Sequence, residues 1–321
     1  MKKINQLIIF LAIMLLTVPS ANGALKKLAQ TGFQYLKVDV SPRAAALGGS
    51  FIMIEGDPAN MFYNPAGIAK INKRIDFFAA RTNWIADVAI NAGGVVTNLG
   101  NIGTFGVSFI APDYGTIFGT RVSDNAQGFV ETGNVNVGAY TIGLSYARQL
   151  SAKFSIGGQA KYNYQHLGSN LLVDGSTIKN EVSGMAFDLG TIFYPGWTPS
   201  FRLGMSIRNF SQQLKYQQEC FEMPLTFRLG VAMNIFDFIG AEGMNPLLLS
   251  IDALHPRDYT ERVHIGAEYY ILDILALRAG YKTNYDEEGL SAGVGFQQMI
   301  SDIQVSVDYS WSDFGLFESV S

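Results

Sequence analysis

Charged residues and long apolar runs are both scarce in this chain of 321 residues. Charged residues make up 16% of it, well below the ~25% of ordinary soluble domains. Beyond the first two dozen residues, no apolar run approaches the ~18–20 residues that a membrane-spanning helix needs. Apolar residues nevertheless make up 48% of the chain, so they must be dispersed through it. The net charge of −4 without a basic stripe excludes a nucleic-acid partner.

Cysteine and histidine are also rare. Cys220 is the only cysteine, which excludes an intramolecular disulfide and a thiolate zinc site. The three histidines, His166, His255 and His264, do not have the spacing of a metal-binding motif. Polar loop or lumen positions are therefore the favoured interpretation of these histidines, and we predict no metal and no cofactor.

One short motif has a catalytic association. Gly289-Leu-Ser-Ala-Gly293 fits the expression GxSxG, in which the serine sits on a strand–turn–helix elbow and a histidine follows later in the chain. Here the motif lies inside an alternating segment, and the last histidine, His264, precedes it. We therefore predict no catalytic residue and a protein that is not an enzyme.

Residues 1–23 have the organisation of a secretory signal peptide. Lys2 and Lys3 form the charged start, residues 7–18 are apolar, and small residues at 20–24 place the expected cleavage after Gly23. A membrane anchor is the weaker interpretation, because the apolar run is short and small residues follow it directly. The signal peptide predicts export from the cytoplasm.

From residue 74 onward, polar and apolar residues alternate with the period of two that is typical of β-strands. Nearly all the charges fall on the parity opposite the aliphatic and aromatic residues. A mid-membrane Arg or Lys on the lipid face costs about 2–4 kcal/mol, so this pattern predicts a polar lumen inside a belt that contacts outer-membrane lipid. The lumen-facing candidates are Asp188, Arg202, Arg208, Arg228, Asp252, His264, Glu268, Arg278 and Asp308.

The alternation predicts an all-β fold, a transmembrane antiparallel up-and-down β-barrel over residues 74–321. Long connections at 112–136, 166–182 and 210–223 alternate with short turns, which is typical of external loops and periplasmic turns. The segment 236–245 is longer than a periplasmic turn and has no predicted element. Thirteen strands are recognisable, near 74–82, 84–97, 103–111, 137–149, 153–165, 183–194, 200–209, 224–235, 246–254, 262–272, 274–283, 289–299 and 302–311.

An odd number of strands is unexpected, because bacterial single-chain barrels have an even number and leave no open edge in lipid. We therefore expect fourteen strands, with the last one missing here and the chain truncated after Ser321. The alternative is that the hairpin at 74–97 is miscounted.

Residues 24–73 do not alternate and precede the barrel. They are rich in apolar residues, Ala and Gly, and Pro58 and Pro65 interrupt regular structure. A disordered tail would have more charge and fewer apolar residues. The segment is predicted to be a plug packed inside the lumen.

Part of this segment resembles a known family. Phe33-Gln-Tyr-Leu-Lys-Val, Arg43-Ala-Ala-Ala-Leu-Gly-Gly-Ser-Phe and Phe62-Tyr-Asn-Pro-Ala-Gly67 resemble the N-terminal signature of the PorV/PorQ family, within the FadL-like class of outer-membrane proteins. The resemblance implies a fourteen-stranded barrel with an N-terminal hatch. The plug-motif residues are Arg43, Gly48, Gly49, Asp57, Asn64, Pro65 and Gly67, and shaping the plug is favoured over gating as their role.

The resemblance implies two functions, and a barrel with an unassigned role is a third hypothesis. The PorV side implies work in type IX secretion, with a translocon and exported cargo proteins as partners. The alternative is passive FadL-like uptake of hydrophobic small molecules such as long-chain fatty acids. Both place the protein in the outer membrane.

Overall fold

The computed structural model describes residues 31–171, 177–240, 245–317 and 319–321. The predicted signal peptide and residues 24–30 of the predicted plug segment lie outside the described residues.

Fourteen strands form one antiparallel sheet that curls into a nearly closed barrel. They follow chain order around the barrel, and two small hairpins, β4–β5 and β10–β11, stand outside the sheet. The strands are β1 Ile75–Asn83, β2 Ala89–Asn98, β3 Thr104–Asp113, β4 Ile117–Val122, β5 Phe129–Val135, β6 Gly138–Ser151, β7 Phe154–Leu171, β8 Thr177–Phe193, β9 Arg202–Ser211, β10 Leu214–Lys215, β11 Cys220–Phe221, β12 Thr226–Asn234, β13 Leu247–Pro256, β14 Arg262–Ile271, β15 Leu275–Thr283, β16 Leu290–Ile300, β17 Ile303–Asp313 and β18 Ser319–Val320.

The predicted barrel is confirmed, and each of the thirteen predicted strands corresponds to one strand of the sheet. The fourteenth member is the two-residue β18, which pairs with Ser312 and Asp313 of β17. The backbone N–H of Asn83 in β1 donates to the carbonyl of Ser321 at 2.7 Å. This hydrogen bond bridges the first and last members of the sheet at one end of the barrel.

The connections differ from the prediction in three places. Strands β7 and β8 run on to residue 171 and from residue 177, so most of the expected loop 166–182 is a long hairpin. The expected loops 112–136 and 210–223 contain the hairpins β4–β5 and β10–β11. These short strands lie outside the barrel sheet, so they lack the alternation of a lipid-facing and a lumen-facing side by which barrel strands are recognised.

The segment 236–245, which had no predicted element, begins with a short helix, α2 (Ile235–Ile239). Asn234 caps this helix by accepting from the N–H of Phe236, and Gly240 ends it in a left-handed conformation. Among the described residues, no helix is long and apolar enough to cross a membrane.

The two faces of the barrel wall have opposite chemistry. On the outer face Leu144, Leu189 and Val307 are 63%, 59% and 67% exposed. On the inner face Asp188 and Asp252 are 1% and 0% exposed. A soluble barrel buries its apolar parity, so this inverted arrangement is that of a membrane barrel. The predicted location in the outer membrane is confirmed.

Residues 31–73 fill the lumen as a compact plug. It contains a short helix, α1 (Pro42–Ala46), and three 3₁₀ turns, Gln34–Lys37, Pro58–Phe62 and Pro65–Lys70. Three of these elements begin with a capping side chain followed by proline, which suits the first helical position. Most of the fully buried apolar side chains belong to this segment, so the core of the molecule lies between plug and wall.

Candidate functional site

The plug rests on glycines of the inner wall. At nine lumen-facing glycines, a methyl group in place of the hydrogen would collide with a plug atom. The absence of side chains lets plug backbone approach wall backbone, as at Gly280, where the nearest atom is the backbone nitrogen of Gly48. These wall glycines are Gly94, Gly106, Gly157, Gly190, Gly204, Gly230, Gly266, Gly280 and Gly293.

Gly48 and Gly49 are the plug side of a close plug–wall approach. Both have positive φ, 63° and 74°, which favours glycine. A side chain at Gly48 would also lie 2.8 Å from the backbone nitrogen of Tyr281, and one at Gly49 would lie 2.8 Å from Nδ1 of His264. Both conformation and space therefore require glycine here.

Asn64, Pro65 and Gly67 shape the last turn of the plug. The Asn64 amide donates to the carbonyls of Ile52 at 2.7 Å and Thr191 at 3.3 Å, and its oxygen accepts from the N–H of Ala66. Gly67 donates to the carbonyl of Asn64 and is packed against Asn60 without room for a side chain. These contacts are structural ones, in line with a shaping role.

Arg43 joins the plug to the wall through charge. Its Nε and Nη2 donate to the two carboxylate oxygens of Glu268 at 2.8 and 2.6 Å, and Nη1 donates to Asp57 at 3.0 Å. Arg278 donates to Glu268 at 2.6 Å and to Asp308 at 2.5 Å. Five charged side chains from plug, β14, β15 and β17 thus form one network, and two-point binding of this kind is the strongest geometry for an arginine–carboxylate pair.

The other predicted lumen charges also face inward. The carboxylate of Asp252 accepts from the N–H groups of Phe51 and Ile52 at 2.9 and 3.2 Å. Asp188 pairs with Lys161 at 2.8 Å. These charges satisfy groups at the plug–wall boundary and do not line an open channel.

The lumen arginines bind plug carbonyls. Arg202 donates to the carbonyl of Met53 at 2.5 Å, Arg208 to that of Leu36 at 3.2 Å, and Arg228 to that of Gly49 at 3.2 Å. Since guanidinium groups are donors only, they suit the carbonyls that short turns leave unpaired.

A cavity of about 850 Å³ lies between the start of the plug and the long-loop end of the barrel. Its volume falls within the ~300–1,000 Å³ of small-molecule sites. One side is apolar and aromatic, formed by Phe33, Trp84, Val88, Ile90, Tyr114, Leu167, Tyr216 and Phe221 among others.

The opposite side of the cavity is charged. Lys282 pairs with Asp39 at 3.0 Å and with Glu288 at 2.5 Å, and Lys37 pairs with Asp258 at 2.5 Å. Burial alone would raise the pKa of Asp39, but the nearby cations Lys282 and Arg228 lower it to about 2. Asp39 is therefore ionised at neutral pH.

The predicted site residues and the cavity only partly coincide. Arg228 and His264 line the cavity, whereas the Arg43 network lies around a separate small cleft toward the short-turn end. Sequence reasoning missed the aromatic wall because its members come from the plug start, from loops and from the ends of several strands, and no periodicity relates such positions. Their only signal is the concentration of aromatic residues in loops.

The GxSxG serine has a structural contact. Ser291 lies in strand β16, buried, and its hydroxyl donates to the carbonyl of Ala46 in the plug at 3.2 Å. The motif is not followed by the helix that a nucleophile elbow needs.

Solved structures share this architecture at low sequence identity. The Ralstonia pickettii toluene transporter TbuX superposes with a TM-score of 0.57 at 15% identity, over 88% of this chain and 95% of its own. The fold is that of the FadL-type barrels. The Pseudomonas putida toluene transporter TodX gives a TM-score of 0.55 at 13% identity, over 87% and 95%. A Pseudomonas aeruginosa FadL homologue gives 0.53 at 14%, over 86% and 90%.

Sequence comparisons add nothing to this fold-level similarity. No protein-family model matches the chain, and no curated protein matches it. The FadL-like part of the predicted resemblance therefore has structural support, and the PorV-specific part has none.

Proposed function

We propose that this protein admits small hydrophobic molecules through the outer membrane by passive, non-catalytic transport. The proposal rests mainly on the cavity of about 850 Å³ with its aromatic wall. The cavity lies at the loop end of the barrel, and the plug forms its floor. Burial of apolar surface contributes about 25 cal/mol per Å², so such a wall favours an apolar ligand over water.

The similar structures support this proposal. TbuX and TodX are described as toluene transporters, and their folds superpose on nearly the whole of this chain. The outer leaflet of the membrane is a barrier to a hydrophobic ligand. A ligand that enters the cavity at the loop end of the barrel does not have to cross that leaflet. Below the cavity the lumen is filled by buried plug residues, so onward passage needs a movement of plug or wall.

The test is uptake of radiolabelled toluene by Gram-negative cells that express the full chain. Val88 lines the cavity, and Val88→Trp would fill part of it. The matched control is Val122→Trp, since Val122 is 88% exposed on the β4–β5 hairpin. We expect faster uptake than in cells with an empty vector for the wild type and Val122→Trp, and vector-level uptake for Val88→Trp. Uptake at vector level for the wild type would overturn the proposal.

The type IX secretion role stays a prediction. It rests on the resemblance over residues 33–67, and none of the similar structures named above is described as a secretion protein. Deleting the gene in its host and assaying surface-exported cargo tests it. Unchanged export of every cargo contradicts the secretion role and leaves the transport proposal standing.

A further inference from the structure

Among the described residues, two of the four cations that line the cavity, Arg228 and Arg262, form no salt bridge, and Arg262 differs from Arg228 in that it donates to no plug carbonyl. Arg262 begins strand β14 and lines the cavity. Among the described residues it forms no salt bridge, and its Nε is buried without a hydrogen-bond acceptor. Its guanidinium lies between the rings of Tyr259 and Tyr285, 4.2 and 3.7 Å from their centroids. The two rings hold the group flat and leave its donors without an anion.

The other three cations of the cavity already have protein partners. Lys37 pairs with Asp258, and Lys282 pairs with Asp39 and Glu288. Arg228 donates to the carbonyl of Gly49 in the plug at 3.2 Å. Four cationic side chains but only two carboxylates line the cavity. Since a buried cation without a counter-charge is costly, the excess positive charge around Arg262 favours an anion.

The chemistry of the opposite wall defines the remainder of the ligand. Phe33 and Phe221 stack with centroids 6.3 Å apart, and Phe221 stacks on Tyr216 at 5.1 Å. Flat ring faces of this kind pair with another ring in offset or edge-on arrangements. An aromatic body fits this surface.

We propose that the cavity binds a small aromatic monocarboxylate, with its carboxylate on Arg262 and its ring against the aromatic wall. The inference rests on the proposed function and names its ligand class. The guanidinium fork matches a carboxylate at two points. Asp39 and Glu288 on the same side of the cavity repel a second negative charge, which restricts the ligand to one. A neutral hydrocarbon would leave the Arg262 donors unpaired.

The test is calorimetric titration of the full chain in lipid nanodiscs with benzoate, toluene and octanoate. The variants are Arg262→Met, which keeps bulk without charge, and Arg262→Lys, which keeps charge without the fork. Arg257→Met is the matched control, since Arg257 lies five positions away and pairs at the surface with Glu222. Heat-dependent gel mobility shows that each variant is folded.

We expect benzoate to bind the wild type and Arg257→Met equally, and Arg262→Met roughly tenfold to a hundredfold more weakly. Arg262→Lys is expected to fall between them, and toluene affinity to be unchanged in all. Toluene binding without benzoate binding, or benzoate binding unaffected by Arg262→Met, overturns the ligand class alone. If octanoate binds more tightly than benzoate, the inference that the ligand has an aromatic ring is overturned. Binding of none of the three overturns the proposed function as well.

Discussion

Arg43 shows at the scale of one residue how the plug is held. It bridges Asp57 in the plug and Glu268 in the wall, and the Glu268 side chain is 2% exposed. Breaking a buried pair leaves a charge without compensation, which costs more than the pair itself contributes. A substitution at Arg43 therefore tests directly how much this ion-pair network stabilises the docked plug.

Replacing Arg43 by Ala is expected to lower the free energy of unfolding by about 3–5 kcal/mol. Urea denaturation in lipid vesicles measures this change. Lys73→Ala is the control, because Lys73 forms an exposed pair with Asp76 that is worth about 1 kcal/mol or less. Equal losses in the two variants would show that the Arg43 network does not hold the plug.

Asp39 makes plug docking sensitive to acid. Its pKa is lowered from 3.8 to about 2, so folding favours its ionised form. That contribution, about 2 kcal/mol, is complete above about pH 4 and is lost as the pH falls through 2. Asp39→Asn is expected to reduce stability at pH 7 and to flatten the decline between these pH values.

Thermal denaturation at pH 7, 4, 3 and 2 measures this effect. Asp124→Asn is the control, because Asp124 is an exposed carboxylate in the turn between β4 and β5. Identical acid dependence in the wild type and Asp39→Asn would contradict the role given to Lys282.

At the scale of elements, the alternate positions of each strand have two different roles. The outer parity holds the membrane belt, and the inner parity holds glycines against which the plug packs. Alternation predicts the first directly. It does not predict the second, because a lumen glycine has the same pattern whether water or a plug lies beside it.

Gly280→Ala tests whether the plug packs against the glycines of the inner wall. The added methyl group meets plug backbone at Gly48 and Leu47, which cannot turn aside as a flexible side chain does. The plug is expected to shift, with higher ion conductance in planar bilayers and a lower melting temperature. Gly158→Ala is the control, since there the nearest atom, at 3.3 Å, is the end of the Leu189 side chain. Equal conductance in both variants would contradict a plug seated on this glycine.

At the scale of the molecule, the surrounding lipid determines which substitutions the outer face of the barrel tolerates. Leu144 lies in the middle of β6 and Leu150 near its end, and both are exposed, at 63% and 58%. Leu144→Arg is expected to cost about 2–4 kcal/mol and Leu150→Arg about 0–1 kcal/mol, because the penalty falls toward the interface. Refolding into vesicles at increasing urea measures both. Equal penalties would contradict a lipid belt centred on Leu144.

The sequence by itself determined the barrel, its strand positions and the inward direction of its charges. These follow from a period of two and from the cost of charge in lipid, and both are local properties of each strand. Even the family resemblance rested on one contiguous segment.

Only the tertiary structure decided what the charges and glycines do. Arg43 meets Glu268 across 225 positions of sequence, and the cavity joins Phe33 at the start of the plug to Arg262 at the start of β14 and Tyr285 after the end of β15. No periodicity relates such residues. Their contact depends on how the plug packs inside the barrel wall. That packing leaves the Arg262 guanidinium in the cavity without an acidic partner among the described residues.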